Sequence, residues 1–167
     1  MRTLVIGYGN ASRRDDGVGL AVVNALRLHW GQPALTPLTD GWEDLGSARD
    51  SLFLQQLTPE LAATLAQYDL VFFVDASLPA ATEPVQWERV EPAYQMGAIS
   101  HHMEPATLLA LARQLYGHAP EGVLVSVHGH DFDFGDELSP RTAAAVPDAV
   151  QWIEQFVVER ENVKRET

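Results

Sequence analysis

The segment at residues 70–74, Leu-Val-Phe-Phe-Val, restricts the fold of this chain more than any other. The run is apolar at every position, so it predicts a strand that is buried on both faces, as in a parallel sheet covered by helices. The run ends at Asp75, a charged residue at the edge of a buried strand. Acids in that place are commonly paired, hydrogen-bonded or functional, so Asp75 is a candidate site residue.

Strand-like and helix-like segments alternate along the rest of the chain. Further strands are predicted at residues 4–6, 51–57, 85–90 and 122–127. Helices are predicted to begin at Asp15, after Thr58-Pro59, at Pro105 and after Ser139-Pro140, with the last one running to about Glu159. This alternation predicts an α/β fold: a single-domain, three-layer sandwich with a mostly parallel, twisted sheet and helices on both faces. We assign residues 1–160 to that domain and expect the polar tail, 161–167, to be frayed.

The composition disfavours several classes of protein. The 167 residues include 11 Lys and Arg against 23 Asp and Glu, and the formal charge of −12 disfavours nucleic acid or a membrane as the main partner. Because there is no cysteine, a disulfide scaffold, an iron–sulfur cluster and a cysteine nucleophile are excluded. No apolar stretch approaches the roughly 20 residues of a membrane span, and the first residues lack the order of a signal peptide. We therefore expect a cytoplasmic protein.

The loop Gly7-Tyr8-Gly9-Asn10 after the first strand raises the question of dinucleotide binding. That fingerprint requires a third glycine three residues after the second, and the position holds Ser12. The next helix begins with Asp15 and Asp16, whose charges would repel a phosphate. We therefore expect no tightly held organic cofactor. One of the two acids is expected to cap the helix start while its neighbour points into a site.

Acids and histidines occur at three of the predicted strand and loop ends. One acid of the Asp15-Asp16 pair, Asp75 and one histidine of the His101-His102 pair would make a set of two carboxylates and an imidazole. Such a set suits a divalent first-row metal with positions left open for water or substrate. The plainer interpretation of the histidine segment is a capped helix start with two solvated imidazoles.

Residues 128–135 follow the last predicted strand and hold further potential ligands, among them His128 and His130. Their spacing matches no closed zinc motif. We expect this segment to shape the pocket or contact the substrate rather than bind a metal directly. The G-x-S-x-G and H-E-x-x-H motifs of serine hydrolases and zincins are both missing from the sequence.

Five short motifs occur in a defined order. They are Gly7-x-Gly9-Asn10, Asp15-Asp16-Gly17-x-Gly19, Val74-Asp75-Ala76, Ser100-His101-His102 and Phe134-Gly135-x-x-Leu138-Ser139-Pro140. Together, over about residues 3–158, they resemble the hydrogenase maturation endopeptidases. These enzymes cut a C-terminal extension from the large subunit of nickel–iron hydrogenases once nickel is in place. The chain departs from that pattern at Ser12, where many members have leucine, and at Asp40-Gly41-Trp42, where many have Asp-Gly-Gly.

The resemblance implies a site, a partner and a mechanism. The family positions that contact the metal correspond here to Asp16, Asp75 and His101, with His102 as the alternative for the third. These residues would also be the catalytic ones of an aspartyl-type endopeptidase. The implied partner is a hydrogenase large-subunit precursor, and the implied nickel is carried by that substrate. Nickel would serve either as a catalyst or only as a recognition label.

Two other functions are compatible with the same residues. The first is a metal-dependent hydrolase of a small amide or nucleoside, which would need a deep pocket and a tightly held zinc or manganese ion. The second is a non-catalytic hydrogenase maturation chaperone, which would bind the precursor and release no peptide.

Overall fold

The computed structural model describes residues 1–77, 83–95 and 102–167. The described residues form five strands: β1 (Thr3–Tyr8), β2 (Arg49–Leu54), β3 (Leu70–Ser77), β4 (Val85–Val90) and β5 (Glu121–His128). They make one sheet in the order β2-β1-β3-β5-β4. All neighbours are parallel except β4, which runs antiparallel to β5 at one edge of the sheet.

Helices cover both faces of this sheet. The α-helices of the described residues are α1 (Val18–His29), α2 (Leu61–Leu65), α3 (Pro105–Tyr116) and α4 (Pro140–Glu166). The helices α1 and α4 pack together on one face, and α2 and α3 pack together on the other. The predicted three-layer sandwich with a mostly parallel sheet is therefore confirmed.

The central strand β3 divides the apolar core in two. Its residues 70–74 are at most 1% exposed. Phe72 and Val74 belong to the cluster beneath α1 and α4, whereas Val71 and Phe73 belong to the cluster beneath α2 and α3. Burial of each such side chain stabilises the fold by roughly 1.5–3 kcal/mol. The prediction of a strand buried on both faces is confirmed.

The last helix is longer than predicted. It continues to Glu166 instead of ending near Glu159, so most of the tail that was expected to be frayed is helical. An ion pair between Lys164 Nζ and an oxygen of Asp69, 2.9 Å apart, holds this extension against the start of β3. In the part of the chain that the structure describes, no helix is both long and apolar enough to cross a membrane.

A buried arginine fixes the weakly patterned connection between α1 and β2. Arg27 is 1% exposed, and its guanidinium donates to Ser51 Oγ at 3.1 Å and pairs with the carboxylate of Asp44. The connection carries a short 3-10 helix, Trp42–Asp44. The contacts of Arg27 order a segment that has no apolar periodicity of its own.

Candidate active site

The carboxyl ends of β1, β3 and β5 lie side by side at one edge of the sheet, because the three strands are parallel neighbours. Ligand sites of open α/β sheets form at this edge. Tyr8 ends β1, Asp75 lies near the end of β3, and His128 ends β5. The loop from β1 to α1 carries Asp16 to the same edge.

Asp16 is held by the loop that precedes it. It lies in a 3-10 helix, Arg14–Gly17, that leads into α1. Its Oδ2 accepts a hydrogen bond from the backbone N–H of Asn10 at 2.7 Å. Gly9 has a φ of +140°, and a Cβ there would lie 2.2 Å from the carbonyl oxygen of Asp16. A glycine is therefore required for the loop to pass this close to Asp16.

Asp15, the other acid of the pair, has a different environment. It is fully buried, whereas Asp16 is partly exposed. Its carboxylate accepts five hydrogen bonds of 2.7–2.9 Å, from the backbone N–H groups of His130, Asp131 and Ser139 and the hydroxyls of Ser139 and Thr142. Burial raises the pKa of Asp15, but these donors outweigh it and lower the pKa to about 2.

The expectation that one acid of the pair caps the helix start is wrong. The N-terminus of α1 has no side-chain cap. Asp15 instead binds the N–H of Ser139, the residue that precedes α4. It thereby joins the β1–α1 loop to the β5–α4 loop. The other half of the expectation, that the neighbouring acid points into a site, stays a prediction for Asp16, which is the partly exposed acid of the pair.

Asp75 lies close enough to Asp16 for the charge of Asp16 to affect its pKa. Burial raises the pKa of Asp75 to about 7, and the negative charges of Asp16 and Glu104 add to this increase. Hydrogen bonds from the Ala76 N–H, which lies 2.8 Å from Asp75 Oδ1, and from the Tyr8 hydroxyl oppose it. A carboxyl with a pKa near 7 both takes up and releases a proton readily at neutral pH, as a general base must.

Tyr8 and Glu104 are site residues that the sequence analysis did not identify. Burial, followed by the charges of Asp75 and Glu104, raises the pKa of Tyr8 above its ordinary value, so its phenol stays protonated and donates to Asp75. Glu104 is the residue before α3. The sequence offered only positional signals for them, since Tyr8 lies in the loop after the first predicted strand and Glu104 precedes the helix-starting Pro105.

The third predicted position, His101, lies outside the described residues. The alternative, His102, is described and is exposed just before α3. No group of three or more histidine, cysteine or acidic side chains within residues 1–77, 83–95 and 102–167 is arranged to hold a metal ion. The structure thus brings Asp16 and Asp75 together and does not describe His101.

His128, the last residue of β5, lies beside His130, which follows the strand. Their ring centroids are 4.3 Å apart. The carbonyl of His128 accepts from the Thr142 hydroxyl at 2.9 Å, and the backbone N–H of His130 donates to Asp15 at 2.7 Å. These bonds tie the end of β5 to α4 and the residues after it to Asp15. Contact of either ring with a substrate stays a prediction.

Comparison with known proteins gives likenesses over nearly the whole chain. No family model matches. The hydrogenase expression/formation protein HupD of Thiocapsa roseopersicina is 29% identical over 162 residues, which cover 93% of this chain and 69% of HupD. The structure of the hydrogenase maturating endopeptidase HybD from E. coli superimposes with a TM-score of 0.73 at 25% identity, covering 96% of this chain and 94% of HybD. The nickel–iron hydrogenase maturation protease HycI from Thermococcus kodakarensis shares the fold, with a TM-score of 0.61 at 21% identity over 92% of this chain and 90% of HycI. The resemblance to the hydrogenase maturation endopeptidases that the motifs indicated is therefore confirmed, both by a relative in sequence and by the likeness of the fold.

Proposed function

We propose that this chain is an aspartyl-type endopeptidase that removes the C-terminal extension of a nickel–iron hydrogenase large-subunit precursor after nickel insertion. The observation that carries the proposal is the placement of Asp16 and Asp75 at one edge of the sheet, where the charge of Asp16 raises the pKa of Asp75. The likeness to HybD and HupD supplies the substrate class. We place the reaction in the cytoplasm, as the sequence predicts.

The nickel of this proposal is part of the substrate. Two carboxylates and an imidazole, from Asp16, Asp75 and His101, would contact it, and this donor set suits a divalent first-row metal. Because the charge of Asp16 raises the pKa of Asp75, a divalent cation brought here would relieve the repulsion between the two carboxylates. Binding of the precursor would then be favoured once its nickel is in place.

The hydrolysis requires a base for the attacking water. A carboxylate at this edge takes a proton from the water, whose oxygen attacks the carbonyl carbon of the scissile peptide. The carbon–nitrogen bond then breaks, and the proton passes to the departing amine. Asp75 is suited to this task because its pKa of about 7 matches a neutral working pH. The phenol of Tyr8 orients the carboxyl group of Asp75 through its hydrogen bond.

Substitution of the two acids tests this assignment. Purified Asp16→Asn and Asp75→Asn variants are incubated with nickel-loaded precursor, and release of the C-terminal peptide is followed with time. We expect each variant to lose at least 100-fold in rate, since each change removes a charged group from the reacting site. Asp148→Asn, which changes an exposed aspartate on α4, serves as the matched control and should cleave like the unaltered protein.

The same assay separates the two alternative functions. A chaperone would bind the precursor and release no peptide with any of these proteins. A hydrolase of small amides would lose its metal on chelation and show a lower melting temperature without the precursor. Peptide release that depends on both Asp16 and Asp75 is expected only from the endopeptidase.

A further inference from the structure

The loop at residues 129–139 displays one aromatic side chain to solvent. Phe134 is 91% exposed, which is unusual for a residue of its size. The neighbouring aromatic, Phe132, behaves differently, because its ring lies against the backbone of Gly129, where a Cβ would meet it at 2.4 Å. The loop therefore packs one phenylalanine against its own backbone and leaves the other exposed.

This loop is fastened to the segment that carries Asp16, and we call it the clasped loop. Gly135, next to Phe134, donates its N–H to the carbonyl of Ser12 at 3.0 Å and accepts from the N–H of Arg14 at 2.9 Å. The carbonyl of Asp131 accepts from the N–H of Asp15 at 3.0 Å, and its carboxylate pairs with Arg14 at 3.2 Å.

These contacts, which we call the clasp, fix the backbone on both sides of Phe134. Asp15 adds two hydrogen bonds from its buried carboxylate to the N–H groups of His130 and Asp131. An exposed side chain on a backbone that is already ordered loses little further freedom when it binds. Aromatic residues, phenylalanine among them, are enriched at the buried centres of protein interfaces.

The surroundings of Phe134 define the chemistry of a matching surface. Asp133, Asp136 and Glu137 are exposed beside it in the same loop, and they outnumber the exposed cation nearby, Arg13, whose side chain donates to a carbonyl of this loop. A complementary partner surface would therefore offer an apolar socket with basic residues around it. The overall charge of −12 would favour approach of such a surface over a long range.

We propose that Phe134 is a docking anchor that seats the folded precursor beside Asp16, through an apolar socket with a basic rim on the precursor. This inference rests on the proposed function for the identity of the partner. The clasp connects the anchor to the site, because Ser12 and Arg14, which hold Gly135, belong to the same loop as Asp16. Docking at Phe134 thereby sets where the precursor's C-terminal segment meets the carboxyl edge of the sheet.

The first test measures cleavage of nickel-loaded precursor by Phe134→Ala. We expect the KM to rise roughly tenfold, as for loss of an interface anchor, with kcat within a factor of two. The matched control is Tyr116→Ala, which removes another exposed aromatic, 55% exposed at the far end of α3, and should leave both constants unchanged. An unchanged KM for Phe134→Ala would overturn the docking proposal while the endopeptidase assignment stands.

The second test measures binding without cleavage. The affinity of Asp16→Asn for nickel-loaded precursor is compared with that of Asp16→Asn combined with Phe134→Ala. We expect roughly tenfold weaker binding for the second protein, even if the unaltered chain releases no peptide and the endopeptidase assignment fails. Equal binding by the two proteins would overturn the docking proposal, as would sedimentation showing that Phe134 instead holds a dimer of this chain.

Discussion

The carboxylate of Asp15 accepts two hydrogen bonds from Ser139, one from the backbone N–H and one from the hydroxyl, each at 2.7 Å. The two residues are 124 positions apart, so the contact joins the loop before α1 to the start of α4. Asp16 follows Asp15 directly in the same 3-10 helix. The position of a proposed catalytic carboxylate therefore depends on a neighbour that never faces the substrate.

Replacement of Asp15 by asparagine should destabilise the fold strongly. An asparagine has one acceptor oxygen in place of two, and its amide would face N–H groups that are themselves donors. Donors left unsatisfied in a buried place cost about 1–3 kcal/mol each, so we expect the free energy of unfolding in urea to fall by roughly 2–4 kcal/mol. Asp148→Asn on the exposed side of α4 should change it by less than about 0.5 kcal/mol. If Asp15→Asn lowered the free energy of unfolding as little as the control does, the hydrogen bonds of the Asp15 carboxylate would not hold the two loops together.

Asp15 should also make the stability of the fold depend on pH at the acidic end of the range. The pKa of Asp15 is about 2 in the folded protein, against 3.8 for the ordinary group. Because the folded state binds fewer protons between these values, the stabilisation is fully present above about pH 4 and is lost as the pH falls through 2. It amounts to about 2 kcal/mol. The free energy of unfolding in urea should therefore differ between the unaltered protein and Asp15→Asn, and this difference should shrink by that amount from pH 5 to pH 2. A difference that stays constant with pH would contradict the low pKa of Asp15.

Gly9→Ala should displace Asp16. The added Cβ would lie 2.2 Å from the Asp16 carbonyl oxygen, so the 3-10 helix must shift and its hydrogen bond from Asn10 must lengthen. We expect peptide release to slow at least tenfold, as misplaced catalytic groups do. Gly31→Ala is the control, because Gly31 also has a positive φ, +69°, but open space around it. Equal activity of the two variants would show that the close approach at Gly9 does not position Asp16.

Tyr8→Phe should change the pH dependence of cleavage. The hydrogen bond from Tyr8 lowers the pKa of Asp75, so its loss should move that pKa above the present value of about 7. If Asp75 acts as a carboxylate, the rising limb of kcat/KM against pH should then shift to higher pH. Tyr116→Phe, at an exposed phenol far from the site, should leave the profile in place. If the pH dependence of kcat/KM were the same in Tyr8→Phe as in the unaltered protein, Asp75 would not be the base.

The fold was predictable because its signals are local. Residues 70–74 are apolar throughout, which indicates burial on both faces, and α3 begins where it was predicted to begin, at Pro105, because proline suits the first turn of a helix. The end of α4 was not predictable from its own sequence. Its polar last turns are held by the pairing of Lys164 with Asp69, a contact between distant parts of the chain.

The site was predictable only in part, because some of its contacts join distant parts of the chain. Strand ends mark Asp75 and the acid pair, since charges at such places need an explanation. The division of tasks between Asp15 and Asp16 depends on donors from Ser139 and Thr142, far along the chain, and no local pattern contains it. The hydrogen bond from Tyr8 to Asp75 likewise depends on the pairing of β1 with β3.

The most direct test of the central claim is the intact mass of a large-subunit precursor after incubation with this protein. Nickel-loaded and nickel-free precursor are compared, each with the unaltered protein and with Asp16→Asn. The account predicts loss of one C-terminal peptide only where nickel and the unaltered protein are both present. An unchanged mass of verified nickel-loaded precursor, or equal cleavage by Asp16→Asn, would contradict it.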